Sequence, residues 1–268
     1  MDQLLHELPL FLLTGAAAGV LAGLFGVGGG LVMVPALALL LPARGYGEAI
    51  YMQVAIGTSL AVISLTSLSS TRAHHVRGGV AWPTFRRLAP GLALGALAGA
   101  QIADRMSGQT LKHVVGAGAL LVALQMAFAR APGSDGRGPT AGPLELFGAG
   151  GVIGALSALV GIGGGSLTVP YLSWRGLPIR HAVGTAAACG VPIAWAGALG
   201  FVIAGWDASG LPPWSLGYVS LTGFAGLAAA SVAAAPLGAR LAHRLPPPQL
   251  KRGFALLLFL IGLKMILG

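Results

Sequence analysis

Gly23 to Leu37 reads GLFGVGGGLVMVPAL, and Ala158 to Leu172 reads ALVGIGGGSLTVPYL. Each stretch runs from apolar residues into a Gly-x-Gly-Gly-Gly core (Gly26 to Gly30; Gly161 to Gly165) and ends in Val-Pro (Val34-Pro35; Val169-Pro170). Both lie inside long hydrophobic segments, so a membrane helix is broken twice in the same way. Nucleotide binding does not fit these glycines. A phosphate loop needs Lys-Ser or Lys-Thr after its last glycine, and a dinucleotide fingerprint needs glycine at its sixth position with an acidic residue about twenty further on. Leu31 and Ser166 stand at the sixth position, and no acidic residue follows at that distance.

The rest of the chain agrees with a membrane reading. Only 9% of its 268 residues are charged and 55% are hydrophobic, whereas a soluble domain carries about 25% charged residues. The net charge of +9 is scattered between apolar spans, which suits orientation on an anionic leaflet and not a nucleic-acid stripe. Cys189 is the single cysteine, so neither an intrachain disulfide nor a cysteine metal cluster can form. The N-terminus carries Asp2 and Glu7 where a signal peptide needs basic residues, and reads as the start of the first membrane segment.

Eight apolar segments fall into two sets of four, divided by the Gly/Pro-rich stretch Arg130 to Pro143. The sets match beyond the glycines: Gly57-Thr58 with Gly184-Thr185, Gly99-Ala100 with Gly238-Ala239, and Leu111-Lys112 with Leu250-Lys251. The chain is therefore expected to hold a first repeat over 1–130, a cytoplasmic linker over 131–143 and a second repeat over 144–268. Charge decides their orientation. If each broken segment crosses the bilayer once, the sixteen Lys and Arg residues divide seven to nine; if each turns back at its glycines, they divide twelve to four. The second arrangement obeys the positive-inside rule. It makes the fold an all-α integral membrane protein of two inverted repeats, each a glycine-tipped broken helical hairpin plus three transmembrane helices, a plan common among transporters. Residues 10 to 25 and 31 to 41 are short enough to be half-depth arms.

Hairpins entering from opposite faces bring their tips together near mid-membrane. Each second arm starts just after its glycines, so unpaired N–H groups and a positive dipole end point at the meeting place. That suits an anion held by Gly28, Gly29 and Gly30 and by Gly163, Gly164, Gly165 and Ser166, with hydroxyls of Thr58, Ser59 and Thr185 donating. The competing reading is that the glycines let helices pack closely and that the hydroxyls bond their own helices. No Asp or Glu lies deep in a span, since Glu48, Asp104, Glu145 and Asp207 are all at edges; an intramembrane carboxylate relay has no candidate. His74 and His75 have neither a nucleophile nor a metal-ligand set around them, so an enzyme is not expected. No metal or other cofactor is called for.

The duplicated glycine motifs, the Gly-Thr pairs and Leu-Gly-Ala-x-x-Ala at Leu237 to Ala242 resemble the TauE/SafE sulfite exporters, of the toluene sulfonate uptake permease group. The third segment departs slightly, with Ala98-Gly99-Ala100 where the second half has Leu-Gly-Ala. The resemblance covers nearly the whole chain. It implies a multi-pass carrier in the bacterial inner membrane whose partners are the lipid bilayer and a small sulfur oxyanion: sulfite, or an organosulfonate such as sulfoacetate, moved outward. A passive anion channel on the same site is the alternative, and a homo-oligomer is compatible with either.

Overall fold

The computed structural model describes residues 2–25, 29–42, 47, 49–128, 142–211, 213–242 and 247–268. Gly26 and Gly28, Arg44, Glu48 and most of the linker lie outside them. The described residues form ten helices. In the first half these are α1 (Asp2–Phe25), α2 (Gly30–Leu40), α3 (Tyr51–Val76), α4 (Trp82–Asp104) and α5 (Gly108–Phe128). The second half repeats the series as α6 (Pro143–Val160), α7 (Gly165–Trp174), α8 (Ile179–Ala204), α9 (Leu221–Ala242) and α10 (Pro247–Leu267). A two-residue antiparallel pair, β1 (Ser215–Leu216) with β2 (Val219–Ser220), precedes α9. Four of the helices, α3, α5, α6 and α8, are long and apolar enough to cross a membrane. The protein is all-α and multi-pass.

The glycine motifs break their segments as the sequence demands, but the arms are unequal. The first arms, α1 and α6, have 24 and 18 residues, about 36 and 27 Å of helix. The second arms, α2 and α7, have 11 and 10, about 15 Å each. The expected half-depth arm over 10 to 25 is thus too short, and in the second half too the first arm is longer than the second. The helix runs outward past the apolar stretch, back to Asp2 in one case and to the favourable first-turn proline Pro143 in the other.

Packing between the halves follows small residues. A β-carbon on Gly91, Gly95 or Gly99 of α4 would fall inside the carbonyl oxygens of Phe147, Gly151 and Ala155 on α6, a constant offset of parallel neighbours. Gly15 and Gly19 meet the backbones of Leu227 and Ser231 in the same way, making α1 and α9 a parallel pair. Since lipid offers little hydrophobic drive between helices, close backbone approach supplies the contact. At the centre α3 and α8 run antiparallel. Leu60 lies against Gly197 and Ser67 against Gly190, while the Thr71 hydroxyl donates to the Ala187 carbonyl at 3.1 Å.

Candidate functional site

The second glycine turn is built by local hydrogen bonds. Helix α6 ends with Gly161 at φ 71°, where Gly161 N–H donates to the Ala158 carbonyl and Ile162 N–H to the Ser157 carbonyl at 2.9 Å. This pair of bonds is a Schellman ending, and its left-handed residue is most easily glycine. Three residues on, the Gly164 carbonyl accepts the Thr168 N–H at 3.1 Å and starts α7. The chain has then reversed: Glu145 near the start of α6 forms an ion pair with Arg175 just beyond the end of α7.

The two tips touch. Gly30 packs so closely on the Gly161 carbonyl that no side chain fits between them, and the Ser59 hydroxyl donates to that carbonyl at 3.4 Å. Gly161 also lies against Val34 and Ile56. Gly164 sits on the backbone of Ala186, Cys189 and Gly190 in α8. That places the start of α7 seven to eleven residues into α8, about 10 to 17 Å along it. Both second arms therefore begin at depth, and neither has a side-chain cap.

Gly29 and Gly164, at matching places in the two motifs, differ in conformation. Gly29 is left-handed, at φ 79°, whereas Gly164 has φ −54° and is held small by the α8 backbone, with Gly190 N only 2.9 Å from where its β-carbon would be. Gly163 is buried. Gly165 is the open position: a β-carbon there would have no neighbour within 4 Å. Next to it the Ser166 hydroxyl is buried and has no hydrogen-bond partner. Gly28 is outside the described residues.

The hydroxyls of Thr58 and Thr185 are elsewhere. Thr185 Oγ1 accepts the Ala81 N–H at 2.9 Å, just before α4, and Thr58 Oγ1 accepts the Ser220 N–H at 3.0 Å, just before α9. Beside each threonine, the glycine admits a carbonyl from two residues earlier in the bound strand, Gly79 at Gly184 and Tyr218 at Gly57. The Gly-Thr pairs are reciprocal staples, each holding the other half's approach to its fourth helix. They do not converge: Thr185 lies close to the level of Thr71, thirteen residues from Thr58 along α3, or about 20 Å. The structure therefore groups Gly30, Ser59 and the second glycine turn, and leaves both threonines at opposite ends of α3 and α8.

One group of residues, Ser166 apart, was not singled out from the sequence. Buried polar atoms without partners are concentrated on α7 and its end: the hydroxyls of Ser166, Thr168, Tyr171 and Ser173, and Nε of Arg175. The signal was available in the comparison of repeats, because the matching positions of α2 are Leu31, Met33, Ala36 and Ala38. Among the described residues no three His, Cys, Asp or Glu side chains gather as metal ligands.

A family model described as sulfite exporter TauE/SafE matches residues 11–265. The chain belongs to the TauE/SafE family. A "probable membrane transporter protein" of Haemophilus influenzae is 37% identical over 96% of this chain and 97% of its own length. One from Methanocaldococcus jannaschii is 27% identical over 99% and 97%. No solved structure matches. This TauE/SafE member is accordingly a multi-pass membrane transporter.

Proposed function

We propose that the protein carries sulfite or a small organosulfonate such as sulfoacetate out of the cell, holding the anion at the start of α7. The observation that carries this reading is the open, uncapped turn at Gly165-Ser166. There the first N–H groups of α7 lack intrahelical acceptors, the helix dipole favours negative charge, and the Ser166 hydroxyl is buried without a partner. Gly163 and Gly164 bring the backbone to this place, and Gly30 with Ser59 close it from the other half. Gly29 contributes from the matching turn, and Gly28 is assigned the same role from its place in the motif. The family description supports sulfur anions as the substrate class and export as the direction.

The chain reversal at the second tip and the antiparallel course of α3 and α8 support inverted repeats, 1–130 and 144–268, joined by a cytoplasmic linker. In such a plan the two halves exchange access to a fixed site. No step of bond making is needed, and the protein acts as a carrier and not as an enzyme.

Gly165→Val tests the site. The space beside Gly165 is empty, so the variant should fold and elute as the wild type does, while its side chain covers the N–H groups. Sulfite binding by isothermal titration and saturable sulfite counterflow in proteoliposomes should both fall at least tenfold. Wild-type affinity in a well-folded Gly165→Val protein would refute the site, and conductance far above carrier turnover would make the protein a channel.

A further inference from the structure

We infer that one face of α7, formed by Thr168, Tyr171 and Arg175, is a second station for the anion, leading from the glycine turn to the arginine-rich side of the membrane. The inference rests on the anion reading above and extends it to residues outside the turn. Positions three and seven after Thr168 return to nearly the same side of a helix, so the three side chains form a stripe. They rise from Thr168 by about 4.5 Å to Tyr171 and about 6 Å more to Arg175.

Each member of the stripe has a buried polar atom without a partner: Thr168 Oγ1, Tyr171 OH and Arg175 Nε. Thr168 is fully buried, at 0% exposure. A hydroxyl in a membrane helix ordinarily bonds back to a carbonyl of the preceding turn, and one left alone in a low-dielectric interior is costly. Here neither the helix nor its neighbours use them. Guanidinium Nε–H can only donate, and hydroxyls can donate, so an acceptor is what the stripe lacks. Oxyanions consist of acceptors.

Arg175 stands at the outer end of this stripe. Its Nη2 is paired with Glu145 of α6, which anchors the group while Nε is left over. Arg180, at the start of α8, donates from Nη2 to the Arg77 carbonyl at 2.6 Å, so the end of α3 and the start of α8 lie on the same positively charged side. An anion arriving there meets Arg175 first, then the phenol, then the Thr168 hydroxyl four residues beyond the Gly164 cap.

The first half has no such stripe. Its equivalents on α2 are Met33, Ala36 and Leu40, so the path on that side of the glycine turns lacks these donors. The two-fold arrangement of helices thus carries a one-sided chemistry, with these donors on α7 and not on α2.

The test is the near-isosteric double variant Thr168→Val, Tyr171→Phe in the full-length, reconstituted protein, with sulfite as the probe. Because the deleted hydroxyls bond nothing in the protein, its melting temperature should stay the same or rise. Counterflow of sulfite should slow at least tenfold. A wild-type rate in the folded double variant would overturn the stripe, and so would a melting temperature lowered by several degrees, since that would give the hydroxyls structural partners. A wild-type chain that neither binds nor moves sulfite would instead fail the substrate reading, which separates the two outcomes.

Discussion

Replacing Thr185 by valine separates stapling from anion binding. Thr185 is fully buried, and its Oγ1 accepts the Ala81 N–H at 2.9 Å. Valine keeps the shape and deletes the acceptor, leaving a backbone donor without its partner at the junction of α8 and α4. Such a loss costs about 1 to 3 kcal/mol. For a chain of this size each kcal/mol is worth about 2 to 4 °C, so the melting temperature should drop by about 2 to 12 °C. Thr58→Val removes the matching bond to Ser220 N–H, 3.0 Å long, and should fall in the same range. The two losses should add, because the staples lie about 20 Å apart along α3 and share no partner. Thr185→Ser keeps the oxygen and should recover most of the loss. Sulfite affinity in the surviving folded fraction should equal that of the wild type. Thermal unfolding in detergent, with titration of sulfite on the same preparations, reads both quantities. An affinity reduced in Thr185→Val without any change in melting temperature would refute the staple and return the hydroxyl to the anion.

Two further outcomes are expected. Cysteines placed at Ser134 in the linker and at Ser209 beyond α8, in a Cys189→Ala background, should label from opposite faces of the membrane; labelling from one face would remove the inverted repeat. Tyr218, outside the helices, donates to Asp104 Oδ1 at 2.8 Å, and burial, reinforced by that carboxylate, pushes its phenol up to about 12. An acid with a raised folded pKa holds its contribution below the unfolded value near 10 and loses it as pH climbs towards 12. Wild-type stability should therefore fall across that window more steeply than that of Tyr218→Phe, and parallel pH profiles would refute the coupling.

Much of this protein is legible in the chain because the bilayer leaves few choices. Apolar runs of membrane length must be helical, since backbone groups in lipid have to pair within the segment. The repeated glycines must break those helices, and the Arg and Lys distribution orients them. The eight apolar segments, the two breaks and the TauE/SafE resemblance all follow from one-dimensional pattern.

Other features needed the fold. Gly-Thr recurs in both halves, but the sequence cannot say whether a hydroxyl faces an anion or another strand; that depends on Ala81 and Ser220 being carried to it by the opposite half. Gly29 and Gly164 occupy matching places in the motif yet have opposite signs of φ, because a turn is settled by what packs on it. Residue type suggested that Ser166 could bind. Only the tertiary structure shows that its hydroxyl, with those of Thr168 and Tyr171, is buried without a partner: hydrogen-bond satisfaction belongs to the neighbours a side chain acquires, and those neighbours are distant in sequence.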